Sequence, residues 1–313
     1  KEQKLNFPVL SRIKARIKSK FDSIDNTALK LNFLNALPFW IGAIITGLIS
    51  VMYATLFGWA EDAAAYIFHK ADWTFFIITP LTFMLAYWVV AKYSPFARGS
   101  GIPQVTAAIE LTNPKQKHKV RGLLSFRVII VKIISSLTMI FGGAAIGREG
   151  PTIQISASIF KKINDLLPDW YPKVSKRNMI VTGAAAGLAS AFNTPLGGIV
   201  FAIEELTKTH FSYFKSALLT GVIIAGLTAL NILGPYLYLG YPDTSHISKW
   251  LILAVVPVAL IAGLAGSGMG RMILFMMEKK KAIRRKSLLL IYAGLCGLIL
   301  AILAIYIDER ALG

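Results

Sequence analysis

Apolar residues occupy this chain in long blocks that contain no Asp, Glu, Lys or Arg: Leu31 to Ala60, Trp73 to Ala91, Asn178 to Ile203, Ser216 to Pro242, Trp250 to Gly270 and Ser287 to Ile307. Each block approaches or exceeds the ~20 residues with which a helix spans about 30 Å of hydrocarbon. The blocks vary in length more than those of a simple bundle, which predicts long tilted helices mixed with short interrupted ones. The pattern therefore predicts an all-α polytopic membrane protein.

The segments around the blocks add detail. From Val9 to Lys30, apolar Leu10, Ile13, Ile17, Phe21 and Ile24 recur at helical spacing among basic residues, as in an amphipathic helix lying on a membrane surface. A long span is expected from about Phe33, and a return span from Trp73 to about Tyr93, ended by Pro95. The texture then changes. Gly99-Ser100-Gly101-Ile102-Pro103 leads into Gln104 to Leu111, which is too short to cross a bilayer. A second break falls at Phe141-Gly142-Gly143 and a third at Phe192-Asn193-Thr194-Pro195-Leu196-Gly197-Gly198. Non-helical backbone within a membrane must be covered by protein or line a watery cavity, so repeated breaks point to a transport pathway. One further span, an uncharged loop and two last spans joined by Glu278 to Lys286 complete the pattern.

With 55% hydrophobic and 16% charged residues, the composition excludes a soluble domain of this length. A net charge of +18 would suit nucleic acid, but the basic residues cluster between the apolar blocks. Arg12, Lys14, Arg16, Lys18 and Lys20 precede the first block; Lys115, Lys117, Lys119 and Arg121 form a second cluster; Lys279, Lys280, Lys281, Arg284, Arg285 and Lys286 form a third. Asn231 to Ser248 has no Lys or Arg. The positive-inside rule puts the three clusters and the N-terminus in the cytoplasm and the uncharged loop outside; an anionic-lipid site is the competing use of the same clusters. No nucleic-acid partner is expected. Tyr236, Tyr238, Tyr241 and Trp250 flank the uncharged loop, either as an interfacial aromatic belt or as ordinary loop aromatics. The start of the chain is polar, with no signal-peptide core and no initiator Met, so loss of some residues is expected. Cys296 can make no intrachain disulfide. His69, His118, His210 and His246 lack ligand spacing, so no metal and no cofactor is expected.

Glu149 is the candidate for chemistry. It lies in Gly147-Arg148-Glu149-Gly150-Pro151, between apolar segments where an ionisable group is costly and usually functional. This motif shares a design with Gly99 to Pro103: glycines flank polar residues, and a proline sits where a helix begins. Proline suits a first helical turn because its missing N–H would be unpaired there anyway. Free N–H groups at such a start carry roughly half a positive charge, and two starts aimed at one point make an anion site without a full positive charge. An ion held that way can also leave. Taken singly, each motif is equally well a glycine-rich turn with a helix cap.

Together with Gly183-Ala184-Ala185-Ala186-Gly187-Leu188-Ala189-Ser190-Ala191-Phe192-Asn193-Thr194-Pro195-Leu196-Gly197-Gly198-Ile199, these motifs resemble the CLC family of chloride channels and proton-coupled chloride antiporters. The resemblance covers about Ala36 to Glu205. It implies an inverted-repeat architecture of short, tilted and broken helices: residues 1–30 as a cytoplasmic N-terminal helix, 31–235 as the first transmembrane repeat with the anion and proton motifs, and 236–313 as the start of a second. It also implies a homodimer with one pore per subunit, embedded in lipid, in a bacterial inner (plasma) membrane.

Chloride and protons are the implied substrates. Three anion positions along the pore are implied: Ser100 would donate its hydroxyl to the central one, backbone N–H groups near Gly99 and Ser100 would face the inner one, amides around Arg148, Glu149 and Gly150 would surround the outer one, and Gly101 and Ile102 also count among the anion-binding residues. Glu149 would be the gate. Deprotonated, its carboxylate occupies an anion position; protonated, it swings away and admits chloride. The resemblance places the internal proton-transfer glutamate at Glu205, which favours an antiporter over a passive channel, although two adjacent acids, Glu204 and Glu205, could equally be solvated. Serine at position 100 goes with chloride preference, with bromide and nitrate tolerated. Lys132 either tunes the pore potential or fills a structural role by snorkelling or pairing with an acid.

Two family features are missing: a Gly-x-Phe-x-Pro segment and a late tyrosine that pairs with Ser100. The expectation is a chain truncated in its second half. A non-transporting membrane scaffold is the reading from another class. An intramembrane enzyme is disfavoured, because no His-Glu-x-x-His pair and no serine–histidine arrangement supplies a nucleophile.

Overall fold

The computed structural model describes residues 27–112, 117–207, 216–235, 250–283, 285–307 and 312. Of the expected N-terminal surface helix only 27–30 are described, and these form the first turn of the next helix. Tyr236, Tyr238 and Tyr241 also lie outside the described residues, which contain helices and no strand.

In chain order the helices are α1 (Thr27–Lys70), α2 (Phe75–Tyr93), α3 (Ile102–Glu110), α4 (Lys117–Leu123), α5 (Phe126–Phe141), α6 (Glu149–Leu166), α7 (Lys176–Phe192), α8 (Pro195–Phe201), a π-helical turn (Ala202–Thr207), α9 (Ser216–Leu233), α10 (Leu251–Ala282) and α11 (Lys286–Tyr306). Six segments are long and apolar enough to cross a membrane: Leu31–Lys70, Asp72–Tyr93, Lys119–Phe141, Ser216–Leu233, Leu253–Ala282 and Lys286–Tyr306. Two departures from the charge-free blocks are informative. Lys119–Phe141 qualifies although Arg121, Arg127 and Lys132 interrupt it. Asn178 to Ile203 does not, because Asn193 adopts a left-handed conformation (φ 53°) at the end of α7, and Pro195 starts a new helix two residues later.

The breaks are built from local chemistry. Gly143, at φ 77°, closes α5: its N–H donates to the Ile140 carbonyl and that of Ala144 to the Met139 carbonyl. These two bonds are the Schellman termination, which a left-handed residue permits. At the end of α7 the Thr194 N–H reaches the Ala189 carbonyl in the same way.

The chain divides into two compact units that interleave in sequence. The first comprises 1–50, 101–126 and 152–232. Its centre is α7, where Met179 to Gly187 are all buried. Small residues make this possible. A Cβ on Gly183 would lie 2.8 Å from the Ser156 carbonyl oxygen, and one on Gly187 would lie 2.7 Å from Ser156 Oγ, so this Gly-x-x-x-Gly pair brings α6 and α7 into backbone contact. Gly198 of α8 likewise approaches Ala185, where an added Cβ would be 2.5 Å from the carbonyl oxygen. Two buried polar side chains of this unit bond to backbone: Gln154 Nε2 donates to the Leu123 carbonyl (3.1 Å) and Ser158 Oγ to the Gln154 carbonyl (2.8 Å). At the end of α6, Asp165 pairs with Lys161 (2.8 Å) and Lys176 (2.6 Å).

The second unit comprises 51–100, 127–151 and 233–313. Gly294 and Gly297 of α11 lie against α2, where a Cβ on Gly297 would meet Pro80 Cα and the Thr79 oxygen at 2.9 Å. Phe75, Ala64 and Ala301 are buried together beside them. All described side chains of α10 are exposed.

Candidate functional site

Within the second unit, Gly99 and Ser100 lie against the motif that starts α6. Around Ser100 the backbone turns through two left-handed glycines, Gly99 (φ 70°) and Gly101 (φ 108°), a conformation that residues with a side chain rarely adopt. Gly101 caps α3, with Pro103 in its first turn. Lys132, only 2% exposed on α5, donates from Nζ to the Gly99 carbonyl oxygen at 2.7 Å. Neither expected structural role of Lys132 holds: it does not snorkel, and its bond is to a backbone carbonyl. The bond has a consequence for Ser100. In a trans peptide the C=O of one residue and the N–H of the next point in opposite directions. With the Gly99 carbonyl turned to Lys132, the Ser100 N–H points away from α5.

The start of α6 is docked on this turn. A Cβ on Gly150 would lie 2.9 Å from the Ser100 carbonyl oxygen and 3.0 Å from Ser100 Cβ. Only glycine allows that approach. Glu149 is the first residue of α6 and is half-buried. Its carboxylate folds back over the preceding loop, so that a Cβ on Gly147 would collide with Glu149 Oε2. The sequence therefore places glycines on both sides of Glu149 for two different reasons: Gly150 admits Ser100, and Gly147 admits the carboxylate itself.

The second unit also holds a buried polar pair that the sequence did not single out. Tyr53, 1% exposed on α1, shares a hydrogen bond of 2.8 Å with Ser136 Oγ of α5. Tyr53, Phe57 and Glu61 are spaced four residues apart and so share one face of α1; the Tyr53 and Phe57 rings meet edge to face with centroids 5.8 Å apart. A tyrosine within a charge-free block reads as ordinary apolar filling. The available signal was that a buried phenol needs a hydrogen-bond partner, and Ser135-Ser136 offers one inside an otherwise apolar helix.

Glu204 and Glu205 lie on the π-helical turn after α8, and both are exposed. A π turn is frequent at functional sites. Ser100, Gly99, Arg148, Glu149 and Gly150 are gathered in the second unit, while Gly101, Ile102 and Glu205 belong to the first. No group of three or more His, Cys, Asp or Glu with metal-binding geometry occurs among the described residues.

Comparisons with known proteins bear on the fold and the family. The family profile described as voltage gated chloride channel matches residues 82–313. The H(+)/Cl(-) exchange transporter ClcA of Salmonella schwarzengrund (strain CVM19633) is 33% identical over 213 residues, which is 65% of this chain and 42% of that protein. This chain thus spans less than half the length of the curated relatives it matches. Among solved structures, a slow cyanobacterial Cl-/H+ antiporter superposes with a TM-score of 0.71 at 23% identity, covering 88% of this chain and 64% of the other. A CLC-type fluoride/proton antiporter superposes with a TM-score of 0.68 at 20% identity, covering 92% and 69%. These likenesses establish the fold of interrupted helices described above. The profile match, which covers most of the chain, establishes the family: the chain belongs to the voltage gated chloride channels, the CLC proteins.

Proposed function

We propose that the protein to which this chain belongs exchanges chloride for protons across the membrane, with Glu149 as gate and proton carrier. The observation that carries this reading is the docking of the α6 start on Ser100 through Gly150. It brings a hydroxyl, the positive end of a helix and a titratable carboxylate to one point. Backbone amides of Arg148, Glu149 and Gly150 stabilise an anion beside the helix start. The Ser100 hydroxyl and the amides of Gly99, Ser100, Gly101 and Ile102 supply the rest. The deprotonated Glu149 carboxylate competes with chloride for the same donors; once protonated it loses that attraction and leaves the position to the ion. One side chain thus makes the two occupancies mutually exclusive, and exchange follows when the proton continues through Glu205. Its position on a π turn, a feature frequent at functional sites, supports that role.

Relatives are named for H(+)/Cl(-) exchange, Cl-/H+ antiport and fluoride/proton antiport. Serine at position 100 favours chloride among these anions. The reading includes a homodimer in a bacterial inner membrane, surrounded by lipid, with the N-terminus in the cytoplasm. It requires no cofactor or metal and no enzymatic step.

The test is reconstitution of the full-length protein into liposomes with a chloride gradient. Wild type is expected to drive protons uphill. Glu149→Gln should abolish proton movement and leave chloride flux independent of pH, and Glu205→Ala should abolish proton movement while sparing chloride. Chloride flux without proton movement in the wild type would instead establish a passive channel, and absence of both would leave a scaffold.

A further inference from the structure

We propose that the groove between α10 and α11 is a binding site for one anionic phospholipid, with an acyl chain laid along its methionines and the headgroup phosphate on Lys280. On α10, Met269, Met272, Ile273, Met276 and Met277 fall at helical spacing on one face, and they line a cavity of about 420 Å³. Tyr292 of α11 forms the facing wall. Lys280 stands at one end of the stripe, and among the described residues it is the one charged side chain that lines the cavity. Both helices belong to the second unit. Arg271 and Glu278, the other charged residues of α10 before its terminal lysines, are placed on the opposite face by a turn of about 100° per residue.

The dimensions of the groove select its occupant. From Met269 to Lys280 the helix rises roughly 16 Å, at about 1.5 Å per residue, and half of a hydrocarbon core of about 30 Å is about 15 Å. The groove is as long as one leaflet is thick. It is apolar along that length and ends on a cation, which matches a ligand with a hydrocarbon tail and an anionic head. A packed helix, about 10–12 Å across, would fill about three times that volume over the same length. Methionine suits a tail that moves, since its unbranched side chain adapts to irregular apolar partners. The charge at the mouth points the same way. Lys279, Lys281, Arg285 and Lys286 are exposed around Lys280, and such a cluster beside a membrane span attracts anionic lipid from the cytoplasmic leaflet. Within the cluster, Lys279 lies over the Phe275 ring at 5.2 Å, whereas Lys280 lines the groove.

The experiment incubates purified full-length protein with dioleoyl phosphatidylglycerol or dioleoyl phosphatidylcholine and counts the lipid that stays bound by native mass spectrometry. One phosphatidylglycerol per chain is expected, retained in preference to phosphatidylcholine. A lysine beside an anionic headgroup changes binding about fivefold. Lys280→Gln should therefore weaken phosphatidylglycerol by about that factor and leave phosphatidylcholine unchanged, while Lys281→Gln, outside the groove, should change each less than about twofold. Met276 is exposed, so Met276→Trp fills the groove without disturbing a core and should displace both lipids. Leu264→Trp, exposed on the opposite face of α10, should displace neither. Equal losses in Lys280→Gln and Lys281→Gln would reduce the effect to diffuse surface charge and overturn the proposal. Full lipid retention in Met276→Trp would also overturn it, as would a change in subunit number in place of lipid loss, which gives the groove to a second copy of the chain. The readout is bound lipid, so failure here leaves the exchange reading standing.

Discussion

Gly150→Ala is the smallest change that separates the two halves of the proposed anion site. The added Cβ would stand 2.9 Å from the Ser100 carbonyl oxygen, 3.0 Å from Ser100 Cβ and 3.3 Å from Ser100 C. Ordinary contact begins at 3.4 Å, so the helix start and the Ser100 turn must part by about 0.5 Å. The turn cannot rotate away cheaply. It is fixed by two left-handed glycines and by the Lys132 bond to the Gly99 carbonyl, and the obstructing atoms include backbone rather than the tip of a flexible side chain. Overpacking of this kind costs about 1–3 kcal/mol. A shift of about 1 Å at a reacting site costs on the order of 10²-fold, so half that displacement should weaken chloride binding and chloride flux by roughly tenfold. Calorimetric chloride binding on purified protein and chloride efflux from liposomes both read this effect. Gly58→Ala is the control: it lies in the same protein on α1, its Cβ would meet nothing within 4 Å, and alanine is the better helix former. Wild-type binding and efflux in Gly150→Ala would refute the idea that Ser100 and the start of α6 act on one anion. So would a loss of thermal stability with transport intact.

Two further substitutions test neighbouring parts of the structure. Gly147→Ala collides only with the carboxylate end of Glu149, which can move, so the fold should survive while the gate is displaced; chloride efflux at alkaline pH should rise relative to wild type, and unchanged efflux would show that the carboxylate does not block the ion there. Tyr171, in the loop between α6 and α7, donates to the Leu34 carbonyl at 2.6 Å, and burial pushes its phenol from the ordinary 10.0 to about 12. The neutral form is therefore the one favoured by folding: its contribution is fully present below about pH 10 and lost as pH rises toward 12. Thermal melts in detergent should show an alkaline loss of stability across that window that is smaller in Tyr171→Phe; that variant should also be less stable at neutral pH by about 1–2 kcal/mol, since it leaves a buried carbonyl unpaired.

How much of this was legible in the sequence depends on whether the signal was local. The spans were readable because a run of apolar residues answers to the bilayer alone, and the breaks were readable because Gly143, Asn193 and Pro195 act on the backbone at their own positions. Lys119–Phe141 escaped the charge-free scan for the opposite reason. It carries Arg121, Arg127 and Lys132, and Lys132 is accommodated by a partner that only the folded chain supplies, the Gly99 carbonyl 33 residues earlier. The same divide runs through the site. Glu149 and Ser100 announce themselves, since each sits in a motif whose glycines and proline are costly elsewhere. What the motifs could not convey is why each glycine is there: that Gly150 is bare for the sake of Ser100, and Gly147 for the sake of the Glu149 side chain. Tyr53 lies furthest from sequence logic. Its hydroxyl lies 2.8 Å from Ser136 Oγ, which also lies 2.8 Å from the Lys132 carbonyl oxygen of its own helix. A pairing between residues 83 positions apart leaves no periodicity and no motif. A residue such as Glu149 can be found in the sequence by the cost of its charge, while a buried polar pair such as Tyr53 and Ser136 is found only by following hydrogen bonds.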